Sequence, residues 1–295
     1  MKTLNLYIKE SLQCKAIYNE SLLDDEEDLI NNSSIEIIEK FIKDNYDVTG
    51  KLDIKESNNI YIVNCNGDVR IKNDKITQLT NGLFEWGEVK GYFSCSYCKS
   101  LTSLQGAPKE VGEDFDCRKC TSLKSLQGAP KEVGEGFYCS ICTLLKSLQG
   151  APEKVGRNFD CSYCESLTSL EDAPEEIGGS FYCSSCKSLK SLQGAPKKVD
   201  GGFYCNYCKS LTSLQGAPEE IDWSFYCFGC ELLTSLEGAP KKVGGSFDCS
   251  KCKSLPSLEG APEKVDGSFD CRKCGIQFTK EDIEKVSKVK GKIIV

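Results

Sequence analysis

Eighteen of the 20 cysteines in this 295-residue chain fall in nine C-x-x-C pairs: Cys95/Cys98, Cys117/Cys120, Cys139/Cys142, Cys161/Cys164, Cys183/Cys186, Cys205/Cys208, Cys227/Cys230, Cys249/Cys252 and Cys271/Cys274. The step between pairs is 22 residues every time. Two chemistries use thiols at this spacing. Two pairs together can hold a zinc ion through four thiolates, and one pair with an activated thiolate can exchange disulfides. The redox use needs one thiol singled out by its surroundings, and nine equivalent copies argue against it. A two-pair zinc scheme leaves one of nine pairs over, and each copy carries its own Phe, Leu, Leu and Val, which a zinc module does without. The expected role is structural. The first Cys fills a core position, and the second forms a ladder through Cys98, Cys120, Cys142, Cys164, Cys186, Cys208, Cys230, Cys252 and Cys274, because a free thiol behaves as a small hydrophobe with a weak S–H donor. A zinc-binding thiolate array is the alternative, and no metal or cofactor is assigned. Structural disulfides need an oxidising compartment, and Met1 to Glu10 lacks the apolar stretch of a secretory signal.

Other reactive sets are missing. The chain has no histidine, which removes His-dependent triads, His general bases and His metal ligands. Serines such as Ser103 and Ser125 recur in each repeat and are architecture. No glycine-rich phosphate loop occurs. The formal net charge is −7, so no basic surplus exists to displace the counterions of a nucleic acid. No apolar run approaches the ~20 residues of a membrane span. The chain therefore reads as a non-enzyme, without nucleic acid or membrane as partner.

The elements that carry the cysteines follow from the repeat itself. A fixed period of this length marks a solenoid. Phe93, Phe115 and their successors to Phe269 form one column, Leu101 to Leu255 and Leu104 to Leu258 two more, and Val89 to Val265 a fourth, with Ile177 and Ile221 as the only swaps. Phe-x-Cys has period two and reads as a short strand with Phe and Cys on one face. The Ala-Pro step, Ala107-Pro108 to Ala261-Pro262, marks a turn or extended segment on the opposite side. One rung cannot bury its apolar face alone, whereas a stack makes a continuous core. The expected architecture is one sheet of stacked parallel strands over 89–274. Residues 33–88 form a small α/β cap with a degenerate first rung (Ile76, Leu79, Phe84, Trp86), and 275–295 a short helical cap opened by Thr279 and Asp282. The N-terminal cap should start with a helix over 33–46, from the capping-box pair Ser33/Glu36. Residues 1–32 read as a leader-like helix followed by an acidic linker through Asp24-Asp25-Glu26-Glu27-Asp28.

On these residues the chain resembles leucine-rich repeats. F-x-C-x-x-C-x-x-L is similar to the L-x-L-x-x-(N/C)-x-x-L core of the cysteine-containing kind, and L-T-S-L-x-x-A-P-x-x-V, as in Leu101 to Val111, to bacterial repeats. Two departures stand out: Val to Phe is one residue longer than the usual Leu-to-Leu step, and Cys replaces Leu within the strand. The resemblance implies a concave face of parallel strands and a Cys column that hydrogen-bonds the following turn. The first eleven residues, ending Ile8-Lys9-Glu10-Ser11, resemble the capsid-targeting leader of internal head proteins of T-even-like tailed phages. That implies processing at Ile8, Glu10 and Ser11. The repeat style also looks like that of repeat proteins of large phages. The implied setting is the cytoplasm of an infected bacterial cell, or the phage head.

Alternation places a binding surface. The residue between Phe and the first Cys must point away from the core, and that column reads Ser94, Asp116, Tyr138, Asp160, Tyr182, Tyr204, Tyr226, Asp248, Asp270. With Tyr207, Trp223 and Phe228 it gives an aromatic surface for a protein or glycan partner of a monomeric protein, since Tyr and Trp offer large contact area with few rotors. The charged pairs before Val alternate in sign on successive rungs, Glu175-Glu176, Lys197-Lys198, Glu219-Glu220, Lys241-Lys242, and should support register rather than bind.

Overall fold

The computed structural model describes residues 23–295, so the leader segment and its processing site at Ile8, Glu10 and Ser11 lie outside the described residues. The chain is a repeat solenoid of stacked parallel strands. Twelve strands form one sheet from Tyr46–Val48 to Ile293–Ile294, in which Phe lies beside Phe on successive rungs, for example Phe137 beside Phe159 and Phe159 beside Phe181. No helix among the described residues is long and apolar enough to cross a membrane.

One sheet was expected, and the solenoid has strands on two sides. The residues at the Val column form a second series, Glu110–Val111, Glu132–Val133 and onward, also parallel and in register. This series is split into an eight-stranded sheet ending at Lys198–Val199 and a four-stranded sheet starting at Glu220–Ile221. From Glu110–Val111 onward each strand of this series spans only two residues, too few for an alternation to be read. They are strands because the rung below offers a ladder.

Between the two sides lies a dry core. Phe, both Cys and both Leu of every interior rung are fully buried, and Val nearly so. The Phe rings from Phe93 to Phe269 stack with centroids 5.0–5.8 Å apart, within the favourable range for aromatic pairs. Both cysteines of a pair face inward because the residue before the second Cys is left-handed in every rung, as in Tyr97 (φ 65°) and Ile141 (φ 63°). For a β-branched side chain this is a true outlier. Ile141→Gly should therefore stabilise the protein by about 1 kcal/mol despite the added chain entropy of glycine, measured as a higher urea midpoint; an unchanged or lower midpoint would remove strain from the account of this turn.

The caps differ from expectation at one end. Helix α1 runs from Leu23 to Asn45, so the acidic run is helical rather than a linker, and Ser33 lies inside the helix, not at its start. Ile38 and Ile42 seat it on the core. Strand β1 (Tyr46–Val48) pairs antiparallel with β4 (Val69–Ile71), and β2 (Leu52–Ser57) with β3 (Ile60–Cys65). The β2–β3 turn is Asn58-Asn59, both with positive φ, as a two-residue hairpin requires. Trp86 is fully buried against Tyr46 and Phe93, and Phe84 against Trp86 and Phe41. At the other end α2 (Lys280–Val286) carries the Thr279/Asp282 capping box and buries Ile283, and the chain then adds one last rung through Lys288–Val289 and Ile293–Ile294.

The charged columns pair largely between rungs. Lys197 meets Glu175 at 2.9 Å, Lys242 meets Glu220 at 2.6 Å and Lys154 meets Glu132 at 3.7 Å. Lys198 instead meets Asp200 of its own rung at 3.4 Å. These groups are exposed, so each pair contributes little and is screened by salt. Changing Lys197 and Lys198 together to Glu should lower the melting temperature in dilute buffer and much less in concentrated salt; an equal fall in both would refute an electrostatic origin.

Candidate functional site

Two sets of residues could carry function: the thiol columns inside and the aromatic residues outside. Among the described residues the paired thiols are committed to packing, with Cys274 at the end of the column only partly buried. Each second Cys donates its S–H across to the rung before, to the backbone carbonyl of that rung's first Cys: Cys120 to Cys95 at 3.1 Å, Cys186 to Cys161 at 3.3 Å, Cys274 to Cys249 at 3.2 Å, and so along the stack. The acceptor therefore belongs to the neighbouring rung, not to the turn that follows as the leucine-rich-repeat likeness implied. Cys98 begins the column and has only the Ser96 carbonyl, at 3.9 Å. Burial raises the thiols of Cys139, Cys161, Cys183, Cys205 and Cys227 above their ordinary value and pushes Cys98 up to about 12. Among the described residues no cluster of three or more Cys, Asp or Glu could hold a metal ion. Protonated, sequestered thiols are poor nucleophiles and poor ligands.

The outer face of the Phe-strand sheet is different. Tyr182 stacks on Tyr204 at 4.8 Å, Tyr204 meets Tyr226 edge-on at 5.4 Å, Tyr226 meets Phe228 at 6.3 Å, and Phe228 meets Tyr207 at 5.0 Å. The in-register strands place Tyr182, Tyr204 and Tyr226 directly beside one another. Gly229 takes the left-handed position of its rung, and a Cβ there would collide with the Tyr207 ring, so the glycine lets Tyr207 lean toward Phe228. Tyr138 stands apart, two rungs away beyond Asp160, with the Arg118 guanidinium 5.2 Å from its ring centre. Arg118 in turn binds Asp116 through two nitrogens. Five of the seven expected residues thus form one aromatic cluster, while Tyr138 belongs to a charged neighbourhood.

Trp223 touches none of these rings among the described residues and is 66% exposed. It sits at the corner between the Val strand and the Phe strand, where successive rungs come closest. A Cβ at Gly156 would collide with the carbonyl oxygen of Gly134, and one at Gly245 with the backbone of Trp223. Accordingly one of the first two residues after the Val column is glycine in every rung (Gly112, Gly134, Gly156, Gly178-Gly179, Gly201, Gly244-Gly245, Gly267), except at Asp222-Trp223. There the Val-side sheet is interrupted. At every other step from Gly112 to Lys290 the first amide after Val donates to the Val-column carbonyl of the previous rung, for example Asp200 to Ile177 and Gly244 to Ile221. Asp222 makes no such bond to Val199, nor Trp223 to Gly201, and no ion pair among the described residues joins the two rungs on this side. The Phe-side sheet continues unbroken across the same step. Sequence reasoning placed Trp223 on the surface but missed this seam, although the signal, a missing glycine, was there to find. Set against protein families, characterised proteins and solved structures, the chain matches none of them.

Proposed function

We propose that this protein is a non-catalytic, monomeric interaction protein that holds a protein or glycan partner on the outer face of its Phe-strand sheet. The observation that carries the reading is the run of touching rings, Tyr182, Tyr204, Tyr226, Phe228 and Tyr207, on a face where the rings of other rungs, Tyr97, Tyr138 and Tyr163, stand singly among Asp, Arg and Lys. Core columns scarcely vary, so variation confined to an outward column is where recognition can be written without disturbing the stack. Tyrosine-rich faces bring large contact area at low ordering cost, and the flanking Asp116, Asp160, Asp248 and Asp270 disfavour anionic partners.

The repeat likeness and the N-terminal likeness support a leucine-rich-repeat type of scaffold encoded by a large tailed phage and acting in the infected bacterial cell or in the phage head. Protein recovered from purified virions should then lack residues 1–10, as read by intact mass; a full-length chain in virions, or absence from them, would remove the head assignment.

Changing Tyr182, Tyr204 and Tyr226 together to Ser should abolish capture of the cellular partner from host extract while the far-ultraviolet spectrum and melting temperature stay close to those of the parent. Undiminished capture by a folded triple variant would place the partner elsewhere.

A further inference from the structure

The seam at Asp222-Trp223 costs stability. It forfeits ladder hydrogen bonds between two rungs, leaving the amides of Asp222 and Trp223 and the carbonyls of Val199 and Gly201 without backbone partners among the described residues. Such a defect in an otherwise regular stack is the kind of feature a binding site retains at the expense of stability. What stands there is a tryptophan with space on both sides. In its column the neighbouring rungs carry Gly179, Gly201, Gly245 and Gly267, so no side chain covers either face of the indole along the stack.

The chemistry around it is neutral and hydroxylic. Over the three rungs from Gly179 to Gly229, the stretch from two residues before Phe to the residue before the second Cys reads Gly-Ser-Phe-Tyr-Cys-Ser-Ser, Gly-Gly-Phe-Tyr-Cys-Asn-Tyr and Trp-Ser-Phe-Tyr-Cys-Phe-Gly. No carboxylate or amine lies within it, in a chain where 27% of residues are charged. The acids that border it are Asp222 and, one rung before, Asp200, both exposed at the corner, with Asp200 paired to Lys198, and Asp248 beside Tyr226 on the next strand. Three rungs at ~4.8 Å by seven residues at ~3.3 Å give roughly 300 Å². That is well below the ~800 Å² each side of a stable protein complex buries, but adequate for a short chain of sugar rings.

Resting on the aromatic face described above, we propose that this seam is a binding site for a neutral oligosaccharide. The C–H face of one pyranose packs on the Trp223 indole, and its rim hydroxyls hydrogen-bond the open backbone groups of the seam and the Asp222 carboxylate. Further rings extend over Tyr204 and Tyr226. The carboxylate accepts from sugar hydroxyls and repels uronic or sulfated sugars. Aromatic platforms with a few fixed polar groups are the usual make-up of small-ligand sites.

The two tryptophans make the test direct, since Trp86 is fully buried and Trp223 exposed. Acrylamide should quench only the Trp223 component, and one or more of short cello-, laminari-, manno- or chito-oligosaccharides should protect it and shift its emission to the blue, whereas oligogalacturonate should not. By calorimetry, Trp223→Ala should weaken that same sugar about tenfold or more. Trp223→Gly restores the corner sequence of the other rungs, so it should raise the melting temperature and also abolish sugar binding. Lack of protection by every neutral probe at millimolar concentration overturns the proposal, as does protection only by a protein from host extract, or sugar binding retained by Trp223→Gly. If all sugars fail while the triple tyrosine-to-serine variant still loses its cellular partner, the aromatic face stands and the saccharide falls; if that variant also keeps its partner, both fall.

Discussion

Above about pH 9 the reduced protein should lose stability steeply and unfold. Folded thiols in the first Cys column resist ionisation. Burial raises Cys139, Cys161, Cys183, Cys205 and Cys227, while in Cys95, Cys117 and Cys249 the hydrogen bond with a neighbouring thiol acts first and burial second. In the unfolded chain the same thiols ionise near their ordinary value of 9.0. Above that value the unfolded state holds fewer protons than the native state, so stability, fully present below it, falls as pH rises toward the folded values. Each such thiol subtracts from stability as pH rises past that ordinary value, and because the losses of many equivalent buried thiols add, the fall is steep. Circular dichroism with reductant across this range checks it. A fold intact near pH 11 would mean that the thiols are not held in a sealed stack.

Phe181→Ala should cost roughly 3–5 kcal/mol. The ring lies between Phe159 and Phe203, at 5.5 and 5.2 Å, with no solvent exposure. Its removal opens a gap that neighbouring rungs cannot close without breaking their own ladders. Cys186→Ser should cost less, because a hydroxyl can still donate to the Cys161 carbonyl. Urea denaturation of both variants compares them; equal losses would mean that the Phe column is no more than space filling.

The solenoid was legible because its period is strict and its buried columns are uniform, so that the Phe strand, the buried thiols and the C-terminal capping box all follow from local pattern. The second series of strands was not. Glu110–Val111 and its equivalents have no strand signal of their own and are extended only because an identical segment lies beneath. The start of α1 was misplaced since Asp24 to Asp28 carry no apolar periodicity and read as solvated chain. The acceptor of each ladder thiol lies 25 residues back, a relation set by stacking rather than by neighbours in the chain. For the aromatic face, alternation gave the direction of each Tyr, but which rings touch, and that Tyr138 does not join them, depends on rung order. The seam needed knowledge of how closely corners approach before the absent glycine at Trp223 meant anything.

Because each rung meets only its neighbours, and meets them with the same Phe, Cys, Leu and Val as every other rung, the 22-residue unit is also a unit of inheritance. Unequal crossing-over between repeats can delete, duplicate or transpose a rung while returning every core contact to its own kind. What such an exchange alters is the order of Tyr and Asp on the outside. A lineage built this way can redraw its outer face in single recombination events, with the one corner at Asp222-Trp223 moving as a cassette.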